Sequence, residues 1–216
     1  MFEFTDVLFK EVLNIPSLRI KRGAVTSFIG PSGSGKTTIL RLLNKMLSPT
    51  RGQILFDGQD LSELDSVLHR RTVTMLSQTP ILFEGNIKDN LTAGLRFQKR
   101  PIPDDGVLTD MLERIRLDKG LNAPAEPLSG GEKQRLVLGR VLLLDSPVYL
   151  LDEPSSALDE PTAHAVVDMI TQYVKTKGKT LVMVTHSTSI ARQFSDVIIQ
   201  VAHGRIKEDE QHEANH

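Results

Sequence analysis

The chain contains no cysteine, which removes disulfides, zinc–thiolate centres and thiol nucleophiles together. Neither sign of charge is in excess. Lys and Arg number 26 against 27 Asp and Glu, a formal net charge of -1, so no global field draws the protein to nucleic acid or anionic lipid. Long apolar runs are missing too. Stretches such as Val141 to Leu144 fall far short of the ~20 residues needed to span a bilayer. Met1 to Val12 carries Glu3, Asp6 and Glu11 where a secretion signal wants a basic end and an apolar stretch. The expectation is a chain that neither crosses a membrane nor is exported.

What is present has globular proportions: 39% hydrophobic and 25% charged residues, with 15 Gly and 11 Pro, which excludes disordered and low-complexity classes. A length of 216 residues fits one large domain or one domain with an inserted subdomain, burying roughly 70% of the unfolded surface.

Residues 2 to 9 alternate loosely, 17 to 21 form a second short run, and Ala24 to Ile29 is an apolar, β-like stretch that stops at Gly30. The period then changes. Ile39, Leu42, Leu43, Met46 and Leu47 recur at helical spacing within a segment from Lys36 to Leu47, and Ser48, Pro49 and Gly52 end it. Gln53 to Phe56 followed by Asp57-Gly58 reads as a hairpin strand and turn, and Val73 to Leu76 as a further strand. From about 84 to 146 the pattern is helical, interrupted by Pro101, Pro103 and a loop from Asp118 to Ser129. Strand signals resume at Val148 to Leu151, Thr180 to Thr185 and Asp196 to Val201, with a helix over about 161 to 175. Such alternation predicts a largely parallel sheet covered by helices. The end, 207–216, is polar and expected to fray.

Gly30-Pro31-Ser32-Gly33-Ser34-Gly35-Lys36-Thr37 fits G-x-x-x-x-G-K-[ST] between a strand and a helix, the context in which that motif binds phosphate. Glycines let successive N–H groups converge on phosphate oxygens, and the helix N-terminus adds roughly half a positive charge. Lys36 is placed to bridge the β- and γ-phosphates and the Thr37 hydroxyl to hold Mg²⁺, with Thr38 beside it in the first helical turn.

Two later segments name a family. Leu128-Ser129-Gly130-Gly131-Glu132-Lys133-Gln134-Arg135 opens a helix, and Val148-Tyr149-Leu150-Leu151-Asp152-Glu153 is an apolar strand ending in two carboxylates. Taken alone, these carboxylates could cap a helix before Pro154, and Ser129 could be only an N-cap. With the phosphate loop before them, they resemble the signature motif and Walker B strand of the ATP-binding cassette (ABC) ATPases, over nearly the whole chain. Gln78 stands in the position of the Q-loop glutamine, Ser156-Ala157-Leu158-Asp159 resembles the D-loop, and His186 the switch histidine.

The resemblance implies an α/β P-loop NTPase core with a mixed, largely parallel sheet, an N-terminal antiparallel β portion and an inserted helical subdomain. The core would cover about 1–83 and 147–206, the subdomain about 84–146. It further implies Mg²⁺-dependent ATP hydrolysis. Lys36, Gln78, Glu153 and His186 would carry the catalysis, and Thr37, Gln78 and Asp152 the metal. Gly30 to Thr38, Ser129, Gly130, Gly131, Glu132 and Asp159 would contact nucleotide. One chain has one γ-phosphate, and what the resemblance implies is a homodimer or heterodimer in which the signature loop of each subunit closes on ATP held by the other. A membrane-spanning permease would receive the motion, with the chain on the cytoplasmic face of the membrane. Small metal or iron exporters and phosphate-type importers are both similar. A soluble cassette ATPase acting on nucleic acid or ribosomes is the alternative, though nucleic acid is not the expected partner.

The pattern departs from the family at the adenine platform, usually an aromatic residue near the end of the first strand. The two tyrosines, Tyr149 and Tyr173, lie elsewhere. Phe9 is the nearest aromatic candidate, a core role for it fits as well, and Lys10 or Glu11 could take the position. Ile81, Leu82 and Phe83, after Gln78, are expected to be partly exposed at a partner groove. Apart from His186, the histidines His69, His164, His203, His212 and His216 show no metal-site spacing and are expected at the surface.

Overall fold

The computed structural model describes residues 1–207. The polar tail from 208 onward, with His212 and His216, lies outside the described residues. β1 (Phe2–Phe9) turns Phe2, Phe4, Val7 and Phe9 inward, and β2 (Leu13–Ile20) turns Leu13, Ile15, Leu18 and Ile20 inward. The spacing slips by one in β1 because of a register shift between Thr5 and Leu8, where Asp6 has φ 48°, a bulge that re-aims the strand. β2 begins earlier than the run over 17 to 21. Pro16 interrupts the pattern but is tolerated because β2 is an edge strand.

β3 (Val25–Ile29) has four of its five residues buried and leads through the glycine-rich loop into α1 (Lys36–Leu43). The helix stops before the expected Leu47. Asn44, 2% exposed, donates to Met75 Sδ and accepts from the Met46 amide, which competes with another helical turn, and Lys45 follows at φ 59°. β4 (Arg51–Phe56) and β5 (Gln59–Asp60) form the expected hairpin and complete a four-stranded antiparallel sheet ordered β2-β1-β4-β5.

α2 (Ser66–Thr72), not anticipated, is capped by Asp65 and runs into β6 (Val73–Leu76). Between β6 and the next strand lie α3 (Ile87–Phe97), α4 (Asp105–Arg114) and α5 (Gly130–Leu142). Pro101 and Pro103 fall in the link between α3 and α4. On α5, a β-carbon at Gly139 would sit 2.9 Å from Ile115 and 3.0 Å from Leu91. The glycine therefore lets α3 and the end of α4 pack closely on α5.

β7 (Val148–Asp152), α6 (Glu160–Thr176), β8 (Thr180–Val184), α7 (Thr188–Phe194), β9 (Val197–Ala202) and β10 (Arg205–Lys207) complete the described chain. α7 and β10 are too short to show a period in the sequence. The second sheet has six strands, β10-β9-β3-β8-β7-β6, all parallel but for β10. Its two faces bury different clusters. Phe28, Leu150 and Val182 pack with Ile39 and the antiparallel sheet, whereas Tyr149, Leu151 and Leu181 pack with Leu91, Leu136 and Ile170 of the helices.

His69 corrects the expectation of a surface histidine, being 4% exposed. Its ring lies edge-on to Phe56 at 5.1 Å and Nε2 is 2.7 Å from the Leu43 carbonyl. His164 is half-buried and His203 exposed. Burial, assisted by Lys45 and Arg70, holds the His69 pKa below its usual value against the opposing Leu43 bond. The unfolded chain therefore takes up the proton first as pH falls, so this stability is present above about pH 6.5 and is lost on acidification toward the depressed value. Denaturant titrations from about pH 7.5 to 5.5 will show a shallower loss of stability in His69→Phe than in the wild type.

Candidate functional site

β3, β8, β7 and β6 are consecutive and parallel, so their carboxyl ends open at one edge of the sheet, where ligands bind in open α/β folds. Each delivers one element of the expected site: Gly30 after β3, His186 after β8, Asp152 and Glu153 from β7, and Gln78 after β6.

Gly30, at φ 145°, has no room for a β-carbon, which would strike the Val201 carbonyl. Lys36 folds back over the loop, its ammonium donating to the carbonyls of Gly30 at 2.8 Å and Pro31 at 2.7 Å, with Ser34 Oγ at 3.4 Å. Ser32 and Gly33 are exposed. Gly35 is the N-cap of α1 and provides no side-chain cap, leaving the amides of Lys36, Thr37 and Thr38 pointing forward as an anion cradle. Desolvation lowers the Lys36 pKa, opposed by the charges of Glu153 and Asp152.

Asp152 is 2% exposed and accepts from Thr37 Oγ1 at 3.0 Å. Desolvation raises its pKa; the Thr37 bond opposes that, the Glu153 charge adds to it, and Arg41 and Lys36 oppose it. Glu153 leaves the strand at φ 52°, a left-handed conformation costing a non-glycine residue about 1–2 kcal/mol. The turn separates two adjacent carboxylates. Asp152 stays on Thr37, while Glu153 accepts from Gln78 Nε2 at 2.9 Å and meets His186 Nε2 at 2.6 Å. Thus Gln78, Glu153 and His186, spread over more than a hundred positions in the chain, converge in one contact set.

Ser129 is the N-cap of α5, with Glu132 closing a capping box and lying 3.4 Å from Lys119. The Glu132 carboxylate is committed to ordering this loop, and the Ser129 amide bond lowers its pKa. Asp159 caps α6 through the Thr162 amide. Among the described residues no hydrogen bond joins Ser129, Gly130 or Gly131 to the phosphate loop. Phe9 is a correction: at 9% exposure it packs into the core between the sheets, because the β1 alternation turns it inward. Lys10–Val12 form an exposed turn, and its end lies beside the phosphate loop, the Val12 carbonyl standing 3.6 Å from where a β-carbon at Gly35 would be. Ile81 and Phe83 are 63% and 40% exposed, Leu82 half-buried.

A sequence profile of the family described as ABC transporter matches residues 13–156. The chain belongs to the ABC transporter family. It is 39% identical over 200 residues to Protein STAR1 of rice, covering 92% of this chain and 58% of that protein. Identity to the probable iron export ATP-binding protein FetA of Escherichia coli is 37% over 194 residues, covering 89% of this chain and 86% of FetA. A solved dimeric ATP-binding cassette in a post-hydrolysis state with ADP and phosphate superposes with TM-score 0.84 at 27% identity, covering 98% of both chains. The fold is thus that of an ABC ATPase cassette.

Within this cassette, Thr37 Oγ1, the Asp152 carboxylate and the Gln78 amide oxygen are all hard donors of the kind Mg²⁺ selects. Gln78 is here engaged with Glu153 through its nitrogen. A buried carboxylate whose pKa is raised by desolvation also suits a site completed by a cation. Among the described residues no three His, Asp or Glu cluster as a metal cage, and no helix is long and apolar enough to cross a membrane.

Two residues were missed as individuals. Gln134, 3% exposed, reaches from α5 to Glu153 and Ala157. Arg140 lies 4.8 Å from the Phe83 ring and donates to the carbonyls of Ile81 and Asn90. Both lie on α5, Gln134 buried within the signature string and Arg140 half-buried beyond it, where only an inward-facing polar side chain would have marked them.

With its folded pKa raised, Asp152 contributes stability that is full below the ordinary carboxylate range and is lost as pH rises through the shifted value. Asp152→Asn will therefore have a higher Tm than the wild type at neutral pH without nucleotide. A lower Tm contradicts this electrostatic account.

Proposed function

We propose that the chain is the ATP-hydrolysing subunit of an ABC transporter, acting as a homodimeric or heterodimeric ATP sandwich that drives a membrane-spanning permease from the cytoplasmic face of the membrane. The observation that carries this reading is the seat of Glu153, held between Gln78 and His186 and one residue from the Thr37–Asp152 pair.

Glu153 orients and deprotonates the attacking water, which general-base catalysis rewards with ~10² to 10⁴-fold in rate, or about 3–5 kcal/mol. His186 and Gln78 aim its carboxylate, and His186 faces the γ-phosphate. Lys36 exchanges its loop carbonyls for phosphate oxygens. Thr37, Asp152 and the Gln78 oxygen would hold Mg²⁺, which supplies neutralising charge to the phosphoryl group.

Ser129 and Gly130–Gly131, apart from the phosphate loop of their own chain, serve the nucleotide of a second subunit. In this arrangement 84–146 works as a subdomain inserted into the α/β core. The exposed Phe83 lines a groove of about 630 Å³ with Pro80, Leu82, Glu84, Pro124 and Lys133, the seat proposed for the permease. Cargo identity belongs to that permease; the likeness to FetA makes metal-ion export the first transport assay.

Glu153→Gln will bind ATP as the wild type does but turn over at least about 100-fold more slowly; unchanged turnover removes Glu153 from the role. In light scattering, Glu153→Gln saturated with Mg·ATP will run as a dimer, and adding Ser129→Arg will return it to monomer with ATP still bound. A strictly monomeric Glu153→Gln at high concentration, even with the permease, overturns the sandwich.

A further inference from the structure

The left-handed backbone of Glu153 needs something to hold it, and one buried side chain outside the proposed machinery does so. Gln134 Nε2 donates to the Glu153 carbonyl at 2.8 Å, and Gln134 Oε1 accepts from the Ala157 amide at 3.1 Å. A single carboxamide thereby stands between the carbonyl of residue i and the N–H of residue i+4, closing the turn that follows β7. The Ser156 amide and hydroxyl each reach the same carbonyl at 3.2 Å. The fit is also close at Gly131, near the start of α5. A β-carbon at Gly131 would lie 3.0 Å from Leu158 and 3.2 Å from the Ala157 carbonyl.

Both polar ends of Gln134 are satisfied and the residue is 3% exposed, so it is locked in place and not merely buried. We infer that Gln134 is a positioning residue for hydrolysis: by clamping the Glu153–Ala157 turn to α5 it fixes where the Glu153 carboxylate stands relative to Gln78 and His186. It also joins, within one chain, the water-orienting carboxylate to the helix that begins at Ser129. This inference rests on the proposed role of Glu153. In the sandwich, Ser129 engages the other subunit's nucleotide, so the clamp carries the state of one nucleotide site to the hydrolytic group of the other. Misplacement by about 1 Å is enough to cost ~10²-fold in rate.

The test uses the full chain with Mg·ATP and two variants. Gln134→Met keeps length and bulk and removes both bonds. Gln134→Glu keeps the acceptor for Ala157 and replaces the donor to Glu153. Each will lower kcat by ~10–100-fold with KM for ATP within about twofold of wild type. In a Glu153→Gln background, single-turnover rates will show no further loss from Gln134→Met, because a residue acting through Glu153 has nothing left to position; a merely structural role would multiply the two losses. Hydrogen exchange at the Ala157 amide needs no turnover and will be at least about 10-fold faster in Gln134→Met.

Unchanged kcat in the folded variants, multiplied losses on the Glu153→Gln background, or unaltered Ala157 exchange overturns the inference. If Gln134→Met does not fold, Gln134→Glu carries the kinetic measurements. A wild-type chain without ATPase activity, but with Ala157 exchange accelerated in the variant, would sink the hydrolytic reading and leave the clamp standing.

Discussion

Parallel pairing of β3, β8, β7 and β6 is the constraint on which every functional contact depends. Phe28, Val184 and Asp152 stand level across three of these strands, and Leu76 pairs with Leu151 one step back. A shift of one residue in any strand would turn its apolar set to the wrong face and carry the loop beyond it out of reach. Because β7 and β8 are buried at every position, an ionised side chain is confined to their ends, where solvent or a partner compensates it. The site edge of the sheet is therefore also where its carboxylates belong.

That edge is held under electrostatic tension. Lys36 loses hydration over the phosphate loop and Asp152 loses it at the end of β7, and burial pushes each toward its neutral form. Opposite charges nearby limit the shift without abolishing it. On the proposed reading, a nucleotide with its metal would bring both signs of charge to this region, and binding would relieve a cost already present in the fold. The strained backbone at Glu153 belongs to the same economy: the turn keeps neighbouring carboxylates on separate tasks, one against Thr37 and one between Gln78 and His186.

The long apolar strands and the helical middle were legible because burial imposes a period on many residues at once. Short elements were not. α2 and α7 span seven residues each and β10 three, too few for periodicity to stand out, and their caps Asp65 and Ser187 are common polar residues. Pro16 hid the first half of β2, since no local rule tells an edge strand from a central one. His69 was misjudged, and the choice between two roles for Phe9 was left open, for a related reason: whether a ring is buried depends on what packs over it, and Phe56 and the Leu43 carbonyl are remote from His69 in sequence.

Residue type and spacing by themselves determined the phosphate loop, the paired carboxylates, the two-glycine helix start and the family to which they belong. Those features are local: a glycine turn, a strand end or an N-cap needs only its neighbours to be recognised. Tertiary structure decided which groups meet. Gln78 and His186 reach Glu153 from two other strands, Thr37 finds Asp152 across the sheet edge, and Gln134 reaches back from a helix to hold the turn. These contacts arise only when distant segments are brought into register by the core, and no single stretch of chain encodes that register on its own.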